Sequence, residues 1–89
     1  MKNLENVTKK TCLVIDLETF ESIVRTVLKD DTVQVECAWD GISIYNDDDN
    51  WSDEEICELL TKYFGVKKVS SFHADDESYA IGVWVVYEE

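Results

Sequence analysis

Apolar runs of period two alternate along this chain with apolar stripes at helical spacing, and together they predict seven elements. Residues 1–10 are a polar, mildly basic lead-in that is free to fray. Thr11 to Leu17 (TCLVIDL) is a short run of β-formers, hence a strand. Phe20, Ile23, Val24, Val27 and Leu28 then recur at i, i+3, i+4, i+7 and i+8, the stripe of a helix. Asp16 or Thr19 would cap it and Asp30-Asp31 would close it. From Val33 to Trp39 the apolar residues Val33, Val35, Cys37 and Trp39 alternate with polar ones, and Ile42 and Ile44 continue the alternation after Asp40-Gly41. Asp-Gly favours a type I′ turn, which would set Trp39 opposite Ile42 and Cys37 opposite Ile44.

An acidic loop, Asn46 to Trp51, leads to a second helix. Ser52 and Glu55 have the S-x-x-E spacing of a capping box, and Gly65 is the C-cap. Ile56, Leu59, Leu60, Tyr63 and Phe64 form its core stripe. Lys67 to Ala74 reads as a strand, Asp75-Asp76 as a turn, and Tyr79 to Tyr87 as a long strand that is apolar on both faces. Such a strand is covered twice or lends one face to a partner, so it offers a route to a homodimer. The order is β-α-β-β-α-β-β, an α+β fold. Its first six elements match a ferredoxin-like split βαβ variant, with an antiparallel sheet and two helices on one face.

Length limits what this domain can hold. Residues 1–89 make a single domain, and surface scaling gives roughly 5,400 Å² of folded surface, about 64% of the unfolded surface being buried. That supports one core and no deep enclosed active site. Hydrophobic residues at 45% argue against a disordered acidic tail.

Charge then narrows the partners. Twenty acids against eight bases leave a net charge of −12, so neither nucleic acid nor an anionic membrane is expected to bind, and a basic protein is. No apolar run is long enough to cross a membrane, and the first ten residues lack the apolar stretch of a secretory signal, so a cytoplasmic location is expected. Cys12, Cys37 and Cys57 lack metal-ligand spacing and are expected to be small buried hydrophobes.

Catalytic templates fit poorly. The three glycines are isolated, so no phosphate loop exists, and a nucleophile–base pair would rest on the lone His73 in a polar strand. Asp16, the one carboxylate beside an apolar strand, reads as a helix cap. A calcium loop starting at Asp47 would need a ligand where Trp51 stands and a glycine where Ser52 stands. No enzyme activity, metal or cofactor is expected.

The remaining signal is the placing of acids. Between Lys29 and Lys62 lie thirty-two residues with eleven acids and no base. Seven of them, Asp47, Asp48, Asp49, Asp53, Glu54, Glu55 and Glu58, fall within twelve residues and would form a negative ridge, edged by Tyr45 and Trp51 as contact anchors. Asp75, Asp76 and Glu77 mark a second patch at a hairpin tip. A surface that only aids solubility is the plainer reading, but segregated charge costs stability through self-repulsion. In size, charge and the layout DDDNWSDEE, the chain resembles the class of small acidic phage-encoded inhibitors, the DNA mimics and anti-CRISPR proteins. That resemblance implies a non-enzymatic inhibitor lying in the basic cleft of an RNA-guided nuclease or another DNA-binding effector, in the host cytosol. An immunity protein or antitoxin against a basic nuclease would use the same face on a smaller site, and a module pairing through its last strand would not need it. A neighbouring toxin gene favours the immunity reading, and a phage operon favours the inhibitor.

Overall fold

The computed structural model describes residues 9–38, 41–75 and 80–87. Its elements are β1 (Lys9–Asp16), α1 (Leu17–Leu28), β2 (Gln34–Ala38), β3 (Gly41–Tyr45), α2 (Asp53–Phe64), β4 (Lys68–Asp75) and β5 (Ala80–Tyr87). The α+β class and the element order are those expected from the sequence. The strands, however, form two sheets, β1-β5-β4 and the hairpin β2-β3, rather than the single sheet of a split βαβ arrangement. The reason lies in β5. Apolar on both faces, it takes the centre of its sheet and pairs antiparallel along its length with β1 and β4. Both of its edges are therefore used within the chain, and it cannot add a strand to a partner as the sequence suggested.

Lys9 and Lys10 belong to β1 rather than to a lead-in, because Tyr87 and Val86 stand opposite them. Leu13 and Ile15 share a face with Val83 and Ile81, and Val69 and Phe72 of β4 join that face through Val85 and Val83. Both helices cover it. Phe20 and Val24 of α1, Ile56, Cys57 and Leu60 of α2, and Val33, Val35 and Ile44 around the hairpin complete one core. The opposite face of the sheet carries Cys12, His73, Gly82 and Trp84. Gly82 leaves room for its neighbours there: a Cβ would stand 2.6 Å from His73 Cε1 and 3.1 Å from Cys12 Sγ, so the His73 ring would have to move.

The helix ends follow their sequence signals. Asp16 caps α1 by accepting from the Thr19 N–H, and Ser52 and Glu55 form the capping box of α2 in both directions. Gly65 ends α2 in the left-handed region. α1 stops at Leu28, short of Asp30-Asp31, because Lys29 turns left-handed at φ 58° and its N–H reaches the Thr26 carbonyl. A side chain in that conformation carries strain that glycine does not. Lys29→Gly should therefore raise stability by about 0.5–1 kcal/mol, read as a higher urea midpoint; an unchanged or lower midpoint would contradict this account of the cap.

Three expectations about packing need correction. The hairpin pairs Val35 with Ile44, Cys37 with Ile42 and Ala38 with Gly41, two residues away from the register that Asp40-Gly41 suggested. A slip of two keeps every side chain on its face, and it sets the buried Val35 against the buried Ile44. Trp39 and Asp40 lie outside the described residues, as does Tyr79. In α2 it is Cys57 that is buried, while Tyr63 is half exposed and stacks edge-on against Phe64. Of the cysteines only Cys57 is a core residue; Cys12 is partly buried and Cys37 exposed.

Candidate acidic interaction face

Asn46 organises the acidic loop. Its side-chain Oδ1 accepts from the N–H groups of Asp48 and Asp49 at 2.8 and 2.7 Å, and its own N–H donates to the Asp49 carbonyl at 2.8 Å. The Trp51 N–H donates to the Ile44 carbonyl at 3.0 Å, closing the loop onto β3. Asparagine suits this position because its carbonyl can replace a main-chain acceptor two residues back in a turn. The loop is thus ordered by main-chain groups and one amide. The carboxylates of Asp47, Asp48 and Asp49 are exposed, and none of them takes a hydrogen bond or ion pair among the described residues.

The same amide extends the face in a direction the sequence did not indicate. Asn46 Nδ2 donates to Asp30 Oδ2 at 2.8 Å, across sixteen residues of chain. Asp30 and the exposed Asp31 therefore lie beside the loop. Asp30 also accepts from the Thr32 hydroxyl at 2.6 Å and the Thr32 N–H at 2.9 Å. The Thr32 hydroxyl above all, then its N–H, hold the Asp30 carboxyl below the ordinary value, with the Asn46 amide adding less. The Asp-x-Thr spacing of residues 30–32 is the signal that marks such a turn.

The α2 acids form a second group. Asp53, Glu54 and Glu58 line a cleft of about 420 Å³ between α2 and β4, facing Lys68, Ser70 and Ser71. Asp53 to Glu58 spans about 7.5 Å of helix, and the two acids nearest the N-terminus suit the helix dipole. Cys57 lies in the same cleft, where burial first and Asp53 second push its thiol up, so it stays protonated and unreactive at neutral pH. Glu55 is committed elsewhere: its carboxylate accepts from Ser52 N–H at 3.0 Å.

The two expected aromatic anchors, Tyr45 and Trp51, are both partly exposed and make contacts within the chain. Trp51 is packed partly against the core, which leaves less of it for contact. Tyr45 donates to Glu36 Oε2 at 2.6 Å, and that bond raises its hydroxyl above the ordinary value. Asp75 ends β4 opposite Ala80, and Asp76 and Glu77 lie outside the described residues. Among the described residues, no three His, Cys, Asp or Glu side chains converge as metal ligands, and one ion pair forms, Glu21 with Arg25 at 3.3 Å. No helix among them is long and apolar enough to cross a membrane.

Asp30 gives the face a pH signature, and Asp16, at the start of α1, shares its cause. The Thr19 hydroxyl lowers Asp16 as Thr32 lowers Asp30. A carboxyl lowered in the folded state contributes stability that is complete above its unfolded value, near pH 4, and is lost as pH falls through the lowered folded value. Asp30→Asn should therefore flatten the acid limb of a stability–pH curve measured by urea unfolding. An acid limb identical to that of the wild type would show that the Thr32 and Asn46 bonds do not hold the carboxylate.

Comparison with protein-family models, with curated proteins and with solved structures finds no match. The fold and its site define an α+β domain with an exposed acidic loop whose carboxylates have no partner among the described residues.

Proposed function

We propose that this protein is a non-enzymatic inhibitor that lays its carboxylate face in the basic DNA-binding cleft of a nucleic-acid-binding effector, such as an RNA-guided nuclease. One observation carries the reading: Asp47, Asp48 and Asp49 stand exposed on a loop whose hydrogen bonds are made by Asn46 and main-chain groups. Carboxylates with no internal partner, held in place before binding, cost little ordering when a partner arrives. Duplex DNA presents one charge per roughly 1.7 Å of axis, and a groove whose arginines pair with phosphates accepts carboxylates in the same fork geometry. Asp53, Glu54 and Glu58 continue the negative surface along α2, and Asp30 and Asp31 continue it beside the loop.

The test is displacement. A labelled DNA duplex bound to a purified RNA-guided nuclease should be released by this protein at about 50 mM salt and less so near 300 mM, where exposed charges are screened. The free protein should retain no duplex itself. Retention of duplex by the protein, or failure to displace it from any such nuclease tried, would count against the proposal.

A further inference from the structure

The three-stranded sheet has two edges, and they are not alike. The outer edge of β4 is irregular and is engaged by α2 at one end. The Val69 N–H donates to the Thr61 hydroxyl of α2 at 2.8 Å, and an irregularity between Val69 and Ser71 breaks its regular spacing. β1 pairs regularly with β5 along all eight residues, and among the described residues no strand covers its other side. Long regular edges of this kind are templates for another strand.

The hydrogen-bond phase shows which groups face outward. The Val86 carbonyl accepts from the Lys67 N–H, and the Trp84 carbonyl from the Ser70 hydroxyl, so the even-numbered residues of β5 turn their main-chain groups to β4. Its odd-numbered residues turn to β1, where Leu13 faces Val83 and Ile15 faces Ile81. Alternation then directs the N–H and C=O groups of Lys10, Cys12 and Val14 and the N–H of Asp16 to the open edge, the Asp16 carbonyl being taken by the first turn of α1. The side chains of Lys10, Cys12 and Val14 lie on the sheet face away from the helices, Val14 being 65% exposed, while the Asp16 carboxylate stands at the N-terminus of α1.

We infer that β1 pairs antiparallel with β1 of a second copy of this chain, forming a two-fold dimer with one continuous six-stranded sheet. Lys10 stands opposite Asp16 of the partner subunit, Cys12 opposite Val14 of the partner subunit, and Leu13 opposite Leu13 of the partner subunit on the axis. Three features select this occupant and register. A two-fold axis normal to the sheet keeps the helices of both copies on one side and matches even residues to even residues, so the outward N–H and C=O groups meet. Sliding by two either way leaves Lys10 or Asp16 without its opposite charge, whereas this register places the cation against the anion twice. Residues 9–16 carry two lysines and one aspartate in a chain of net charge −12, so two copies meet with least repulsion at this strand. The inference is independent of the acidic face and of its partner.

Sedimentation velocity on the full chain from about 10 to 200 μM should show a species of twice the 10.3 kDa chain mass. Lys10→Glu sets like charges opposite each other twice and should weaken the dimer at least about tenfold. Val14→Lys, at an exposed position, should do the same while leaving far-UV circular dichroism unchanged. Register is read by oxidation with diamide. With Cys37→Ser as background, Val14→Cys places two thiols opposite each other at about 5.5 Å between Cα atoms, within the usual disulfide range. A covalent dimer should form, and it should vanish when Cys12→Ser is added. A monomer throughout the concentration range would overturn the inference. So would a dimer indifferent to both charge variants, or a crosslink that survives Cys12→Ser.

Discussion

Replacing Asp47, Asp48 and Asp49 together by lysine should cut affinity for the basic partner at least about tenfold, roughly 1.4 kcal/mol, and leave the fold intact. The two halves of that result have separate causes. The hydrogen bonds that shape the loop use the Asn46 side chain and the main chain of Asp48 and Asp49, so changing three exposed side chains removes none of them. Each change adds two units of charge, taking the net from −12 to −6, and relieved repulsion should hold or slightly raise the urea midpoint. Binding loses three anions that match cations in a groove, where desolvated pairs matter far more than exposed ones. Glu88→Lys with Glu89→Lys changes charge with the same sign at the last two positions of the sequence and should do much less. Equal losses from both variants would mean bulk charge is acting. No loss from either would return the acidic surface to a role in solubility.

The second large effect is on the core. Phe20 is fully buried, with its ring 5.4 Å from that of Phe72. Phe20→Ala removes that contact and leaves a cavity under the sheet, at a cost of about 3–5 kcal/mol. A domain of this length has a total stability of about 4–13 kcal/mol, so the variant should be largely unfolded at 37 °C or close to it. Tyr63→Ala provides the contrast. Tyr63 falls on the helical stripe of α2 but is 50% exposed, and its loss should cost about 1 kcal/mol or less. Urea unfolding of both variants checks the pair. Equal costs would mean the core is not where Phe20, Phe72 and Val83 place it.

Local signals were the most legible part of this chain. The Ser52–Glu55 box, the Asp16 cap and the Gly65 end each depend on a few neighbouring residues, and each stands where its spacing put it. Pairing between distant strands was not legible in the same way. Nothing local in Lys9 and Lys10 marks them as strand; Tyr87 and Val86, more than seventy residues away, make them so. The hairpin shows the same limit on a smaller scale: alternation fixed which face each residue takes, but a slip of two residues leaves alternation unchanged, and the pairing of Val35 with Ile44 decided it.

The acidic face divides in the same manner. Exposure of Asp47 to Asp49 and of Glu58 followed from periodicity and loop composition. The capture of Glu55 by its cap was implied by the box that predicted it. The approach of Asp30 to the loop through Asn46 was not visible, because it joins two turns across the hairpin by a single amide. Trp51 could not be told from an exposed anchor by sequence, since whether an aromatic beside a loop turns in or out depends on what packs behind it.

Capture from a host lysate tests the central claim most directly. The wild-type protein, the triple lysine variant of the loop and the Glu88, Glu89 variant would be immobilised side by side at about 50 and 300 mM salt, and the retained proteins identified by mass spectrometry. The account predicts a basic nucleic-acid-binding protein on the wild type at low salt, weakened at high salt, lost from the loop variant and kept by the Glu88, Glu89 variant. A partner retained equally by the loop variant, or one whose binding ignores salt, would contradict it.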